Sequence, residues 1–387
     1  MNFLIYGSML VLALGLLTSM SLLGLVHILI SVPSLYFIKK TNFKEMPKSS
    51  WALLGLCVAI VFSVIINLSI MHEGLKPIFK VKYFLFGFLM IAPLSWYFKN
   101  YFNEKKISYL LYLFCVASLI AGIAGTIGRM TGFNPVSMKA VNLDRNAGLF
   151  GHVLNYAHNL AFFQVITLGL LLSYKEIERF INKKFLYFIF IFNIYALYTS
   201  LTRGAILAFL VAIPFYFFRN NKKYFLIMIT LIAIGGLSAY KISGNKLQRS
   251  DSDVERISQW KAAWAGFKER PVFGYGYLNF EHHSKEIKIR NNIEMQDYNG
   301  HAHNSELEIL ATTGIVGFLF YFIWIATWFM EMYRRNDVIA KIGLPFIIAF
   351  LVGGLTQSTM GLGVNLFFIM AAYSFSQINL KIVKEGL

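Results

Sequence analysis

Largely uncharged apolar stretches recur along the whole sequence, separated by short clusters of lysine and arginine. The stretches lie at 3–20, 22–38, 51–71, 83–98, 107–127, 150–173, 184–200, 204–218, 224–240, 314–333, 342–357 and 361–380. A hydrocarbon core about 30 Å thick takes about 20 apolar residues per helix. It offers no water to an open backbone, so only self-satisfied helices or closed barrels can cross it. The pattern predicts an all-α polytopic membrane protein with about twelve transmembrane helices. The first two stretches are parted only by a short Ser/Met turn, so one long broken helix also fits there. A soluble surface needs about 25% charged residues; this chain has 14% charged and 57% hydrophobic residues.

The net charge of +17 would suggest nucleic acid on a soluble chain. Here the positions of the charges exclude that reading. Twelve spans put both termini on one side. The loops there (39–48, 99–106, 174–184, 219–223, 334–341) and the C-terminal tail hold 19 of the 36 Lys and Arg. Short loops on the other side hold 7. A long one at 241–313 holds 10, but long loops cross largely regardless of charge. Both termini are therefore expected in the cytoplasm and the long loop in the periplasm. Three segments follow: nine spans in 1–240, a periplasmic loop with short amphipathic helices in 241–313, and three spans with a tail in 314–387. Met1 to Leu23 lacks a basic n-region and a small-residue cleavage site, so it reads as a first span. Cys57 and Cys115 lie inside apolar runs, where neither a disulfide framework nor a thiolate site is expected.

A connection of about 70 residues is too long to be a mere linker. Ser252 and Glu255 have capping-box spacing, with Asp253 in the first turn. Ile257, Trp260, Trp264 and Phe267 share one helical face, predicted to lie on the membrane surface or the bundle. Pro271 stops this helix. Gly274 and Gly276 suggest a tight turn; alone they are weak evidence for phosphate. A second helix should start near Asn304, with Glu306 and Glu308 in its first turn, and Gly314 can end or kink it.

Chemistry concentrates near that second start. Histidine supplies an accepting nitrogen and a near-neutral pKa without tuning, so His303 is the candidate general base. His301, two residues earlier, reads as a solvated neighbour. A zinc site would need a third ligand such as His282, His283 or Asp297, and no metal is expected. Arg203 and Arg145 stand at ends of apolar runs. Either could snorkel or pair locally, Arg145 with Asp144. Yet an ionisable group at a span is a functional candidate by default, and a guanidinium grips phosphate bidentately. Lys76, Lys80 and Lys82 add a cationic loop. His152 and His158 read as helix-packing groups.

At these residues the chain resembles the O-antigen ligase family of bacterial membrane glycosyltransferases. The family signature, His then Asn/Ser/Gln, nine residues and G-x-x-G, is matched by His303, Asn304, Gly314 and Gly317. TRGA around Arg203 is similar to an S-R-G-A element of the group. Arg256 in R-x-x-x-W, the run from Pro271 to Phe280, and Arg145 before G-L-F-G-H resemble its other elements. The last external turn, 356–363, lacks the carboxylate described in some ligases.

The resemblance implies transfer of a glycan from undecaprenyl pyrophosphate to a hydroxyl of lipid A–core at the periplasmic face of the bacterial inner membrane. It implies His303 as base and Arg203, Arg145 and Lys80 on the donor pyrophosphate. Asn304, Gly314, Gly317 and Arg256 would support the site. Direct displacement would invert the anomeric centre without metal or other cofactor. The expected partners are the lipid-linked donor, the lipid A–core acceptor and membrane lipids, with no nucleic acid. Polymerization of lipid-linked repeats and protein O-glycosylation are the neighbouring activities. A twelve-span transporter fits the span count but not the single long loop or the lack of internal repeats.

Overall fold

All twelve apolar stretches fall on helices. The computed structural model describes residues 1–38, 43–243, 250–295, 297–361 and 363–378. The basic tail and part of the 39–48 loop lie outside these residues. In chain order the helices are α1 (Asn2–Thr18), α2 (Met20–Ile38), α3 (Lys48–Ile66), α4 (Val81–Leu89), α5 (Ile91–Tyr101), α6 (Glu104–Thr131), α7 (Val153–Leu172) and α8 (Tyr174–Ile177). They continue with α9 (Lys183–Thr199), α10 (Arg203–Ala212), α11 (Lys222–Ser243), α12 (Ser250–Glu269), α13 (Phe280–Arg290), α14 (Ser305–Arg334), α15 (Val338–Thr356) and α16 (Gly363–Ser376). Among the described residues there is no strand beyond one isolated bridge, Phe133 to Ala140.

Among the described residues, six segments are long and apolar enough to cross a membrane: Met20–Phe37, Lys48–Ile66, Lys76–Tyr101, Glu104–Thr131, Ser305–Arg334 and Val338–Thr356. Asn2–Thr18, Arg203–Tyr216 and Gly363–Ser376 are shorter apolar helices. The bundle is apolar outside as well as inside. Ile28, Leu35, Phe62, Ile120, Ile191 and Phe322 are exposed, as a lipid-facing surface requires. Inside, Trp324 stacks on Trp328 at 5.7 Å, and Tyr373 meets both edge-on. Polar groups at the same depth are paired: Ser49 donates to Glu331 at 2.5 Å and meets the Tyr373 hydroxyl at 2.8 Å.

Local chemistry sets the helix ends. Asn103, Asn182 and Asp337 accept N–H bonds at the starts of α6, α9 and α15. Ser19, in extended conformation, parts α1 from α2, so the first two stretches are separate helices. The single expected run 83–98 divides into α4 and α5 at Met90, whose backbone stays helical. Pro93 explains the division, because it has no N–H for the Leu89 carbonyl and its ring crowds that carbonyl.

The long loop packs as a unit. Ala262, Ala263 and Ala265 of α12 enclose a small core with Tyr275, Phe280, Ile287, Ala302 and Ala311. The buried face of α12 is its alanine face, while Ile257 and Trp264 point outward and Trp264 packs on Phe267. Trp260 and Phe267 on the same face are half-buried, so this face is only partly turned outward, as the membrane-surface alternative allows. The helix also begins at Ser250, two residues before the expected cap; the Ser252 side chain lies outside the described residues. Pro271 ends α12 as expected. The unit is fastened to the bundle through Arg270 Nη1 to Asn67 (2.8 Å), Tyr277 N to Ser63 (3.2 Å) and the Tyr277 hydroxyl to the Met360 carbonyl (3.0 Å).

Candidate active site

The site is built on a fold-back in α14. Glu306 Oε1 accepts from the Tyr321 hydroxyl at 3.3 Å. Fifteen residues of straight helix would hold these two positions about 22 Å apart. The chain turns back at Gly314 (φ 63°, ψ −163°), a conformation essentially reserved for glycine. Breaking a helix strands carbonyls and N–H groups on either side of the break. Residues 271–276 satisfy them. Ile315 N donates to Pro271 O at 2.8 Å and Val316 N to Val272 O at 3.3 Å. Tyr275 N donates to Ala311 O and Gly276 N to Thr312 O, both at 2.9 Å. A Cβ on Gly314 would lie 2.3 Å from the Val272 carbonyl, and one on Gly274 would lie 2.5 Å from the Ala311 oxygen. At Gly317 a Cβ would meet Thr313 Oγ1 at 2.0 Å. The glycines of both sequence elements therefore serve a single backbone junction.

That junction presents the histidine loop. Asn304 caps the returning segment by accepting from Leu307 N at 2.9 Å. The buried Glu308 reaches back to accept from Ala302 N at 2.7 Å. His303 sits between them in the left-handed region, φ 49°. Its Nδ1 lies 3.2 Å from Gln357 Oε1. An amide oxygen can only accept, so Nδ1 carries the proton and Nε2 keeps its lone pair. The turn after α15 is held in the same place: Ser305 Oγ donates to the Gln357 carbonyl at 3.2 Å and meets Thr359 Oγ1 at 3.1 Å. Burial pushes the His303 pKa below the ordinary imidazole value and nearby Arg256 adds to this, against Gln357 and Glu255. His301 is pushed down to about 4 by burial, then by His303 and His152. The two rings are in contact, centroids 4.0 Å apart.

The arginines meet at the start of α10. Arg203 is its first residue, with Thr202 at the N-cap position. Arg145, in the connection before α7, donates from Nε to the Ser200 carbonyl and from Nη2 to Thr202 Oγ1, both at 2.9 Å. Arg203 Nη2 lies 3.3 Å from Asp253 Oδ1 of α12. Two guanidinium groups thus flank a helix N-terminus, where the dipole is positive. A Cβ on Gly204 would lie 2.2 Å from Thr356 Oγ1. Thr356 precedes Gln357, so adjacent residues hold the arginine corner and the histidine.

The other residues singled out from the sequence have these surroundings. Lys80 ends a short 3₁₀ helix, Lys76–Lys80, with Nζ over the Tyr83 ring at 5.9 Å. Arg256 acts on both His303 and His158 electrostatically. His152 is at the N-cap of α7, and His158 Nδ1 lies 2.9 Å from the Leu154 carbonyl. His282 stacks on His72 at 4.2 Å, and His283 Nε2 lies 3.0 Å from the Ile70 carbonyl. Among the described residues no three His, Cys, Asp or Glu are grouped to hold a metal ion. Gln357 and Glu308 were not singled out as site residues from the sequence. Neither has motif spacing to His303, although Glu308 was expected in the right turn.

Residues 188–322 match the protein family described as O-Antigen ligase, which supports the O-antigen ligase superfamily for this chain. The matched interval contains Arg203, Arg256, His303, Gly314 and Gly317, but not Arg145 or Gln357. A relative described as an uncharacterized protein of Haemophilus influenzae is 26% identical over 328 residues, covering 76% of this chain and 75% of the relative.

Proposed function

We propose that this multi-pass membrane protein of the O-antigen ligase superfamily is an O-antigen ligase. It moves a glycan from undecaprenyl pyrophosphate to a hydroxyl of lipid A–core at the periplasmic face of the bacterial inner membrane, with both termini cytoplasmic. The observation that carries the proposal is the Thr356–Gln357 junction. Through it the start of α10, which carries Arg203 and is bonded by Arg145, and the His303 imidazole are held by two adjacent residues.

Glycosyl transfer from a diphosphate needs those two parts. Arg145 and Arg203 bind the pyrophosphate and stabilise the charge that builds on it as the anomeric C–O bond breaks. His303 Nε2 takes the proton from the acceptor hydroxyl as its oxygen attacks the anomeric carbon, and direct attack inverts that centre. A positioned base contributes about 10²–10⁴ in rate. Fixed guanidinium charge supplies here what a cation supplies elsewhere, so the reaction proceeds without metal. Lys80, whose Nζ lies over the Tyr83 ring, is the further cation on the donor pyrophosphate.

The test is transfer by purified protein in liposomes with a lipid-linked glycan donor and lipid A–core, in EDTA. Glycan-capped lipid A–core is the expected product. A lengthened lipid-linked glycan would instead mark a polymerase, and no transfer with either acceptor would overturn the assignment.

A further inference from the structure

A base that works inside a lipid-covered site must also release its proton. His303 has one nitrogen tied to Gln357, and its other nitrogen faces the acceptor when both substrates are bound. The neighbouring groups offer a lateral route. His301 lies ring against ring with His303 at 4.0 Å. The Nε2 of His301 is buried and has no hydrogen-bond partner, which is costly for a polar atom that serves no purpose there. On the opposite edge of the ring, His301 Nδ1 lies 4.0 Å from Glu281 Oε2. Glu281 Oε1 lies 3.7 Å from His282 Nε2, and His282 stacks on His72 at 4.2 Å. The series runs from a buried nitrogen to groups that are a third to a half exposed: 33% for His301, 45% for Glu281 and 30% for His282.

We infer that His301, Glu281 and His282 form a proton relay that carries the proton away from His303 to the surface. The inference rests on the glycosyl-transfer function proposed above. In the transfer step the acceptor oxygen bonds to the anomeric carbon, and the anomeric C–O bond breaks with its electron pair leaving on pyrophosphate. The hydroxyl proton moves to His303 Nε2. The imidazolium passes that proton to His301 Nε2, and His301 releases its Nδ1 proton toward Glu281. The 3.7–4.0 Å separations exceed a hydrogen bond, so each transfer requires the two side chains to close by about 1 Å. Glu281 then gives the proton to water, directly or through His282. A flip of the His301 ring exchanges its two nitrogens and restores the starting tautomer.

The charges around the relay suit passage rather than storage. His152 faces His301 from the start of α7, and Arg256 and Glu255 face His303 from α12. Glu281 and His282 approach from α13. Burial and mutual repulsion keep the two imidazoles from both being charged, so His301 holds the proton only in passing.

The experiment compares the intact protein with His301→Ala, Glu281→Gln and Glu281→Asp in the liposome assay, with and without added imidazole. A relay predicts a fall in kcat of roughly tenfold or more for His301→Ala and Glu281→Gln, smaller than loss of the base itself (~10²–10⁴). Donor KM should not change. Free imidazole should restore much of the His301→Ala rate, and Glu281→Asp should recover part of the Glu281→Gln loss. Wild-type kcat in His301→Ala, or a loss that imidazole leaves untouched, would overturn the relay while leaving the base assignment standing. An assay-free arm separates the two ideas. Imidazole NMR titration without substrate should show the His301 titration moving to lower pH in Glu281→Gln. An unmoved His301 titration counts against the relay even if transfer is confirmed, and an inactive wild type counts against the function alone.

Discussion

His303 Nδ1 is bonded to Gln357, at 3.2 Å, and not to a carboxylate. A carboxylate there would hold a proton on the imidazole; an amide orients the ring and adds no charge. Gln357→Glu should therefore raise the His303 pKa. The base works only when neutral, so the acidic limb of the rate profile should move to higher pH. Gln357→Leu removes one hydrogen bond, worth about 0.5–1.5 kcal/mol, and should cost roughly two- to tenfold in kcat. A Gln357→Glu enzyme with the wild-type pH profile would rule out this role.

The native profile carries its own expectation. The His303 pKa lies below the ordinary imidazole value, so the base stays neutral as pH falls through about 6.5. Half-maximal kcat/KM on the acid side should lie below that point. Stability should follow the same sign. Unfolded histidines take up protons near pH 6.5 while His301, at about 4, does not. The stability it contributes is complete above the unfolded value and declines as pH drops toward 4. Thermal unfolding from pH 7.5 to 5 should show this decline, and His301→Gln should reduce it.

Arg203→Lys keeps charge but loses the planar two-pronged donor. It should lose most transfer and weaken donor binding in a titration of lipid-linked glycan. Arg145→Lys should do the same and also loosen the Ser200–Thr202 turn that its guanidinium holds. Asp253→Asn removes the anion beside Arg203 and should tighten donor binding or leave it unchanged. Near-native activity in Arg203→Lys would mean that the side chain only snorkels.

Gly314→Ala tests the junction. The backbone conformation alone costs about 1–3 kcal/mol for a side chain, and the clash with Val272 adds to that. Activity should vanish and the melting temperature should fall. Gly24→Ala, in α2 with no atom within 4 Å of the added Cβ, is the control and should be neutral or slightly stabilising. Equal melting temperatures for the two variants would contradict the fold-back.

Topology is checked with reporters. One fused after Lys223 should report cytoplasm, and one within 283–296 the opposite side. Reversed signals would place the histidine loop in the cytoplasm, where the proposed donor does not present its glycan.

Periodicity and turn chemistry made much of this readable beforehand. The apolar stretches found their helices because lipid-length runs have few alternatives. Asn304, Gly314 and Pro271 acted as local grammar predicts, since a cap, a positive φ and a missing N–H are properties of single residues. What stayed hidden depends on which segments meet. Gln357 is one polar residue in an ordinary-looking turn. Its role exists only because Gly204 lets α10 approach Thr356 and Ser305 binds the turn's backbone. The buried alanine face of α12 was concealed for a related reason. Helical spacing identifies two faces, and only the partner decides which is buried; alanine fitted the narrow gap against Tyr275 and Phe280.

The four main-chain bonds joining 271–276 to 311–316 make the placement of His303 independent of most side chains between Asn304 and Gly314. Swapping segments between homologous proteins is constrained accordingly. A donor sequence for 304–317 inserted alone inherits a socket shaped by someone else's 271–276, whereas the interval 271–317 can travel as a single cassette. Chimeras cut inside that interval should fail to assemble, while chimeras cut outside it keep a working base when α12 and Gln357, which pack on the interval, come with it.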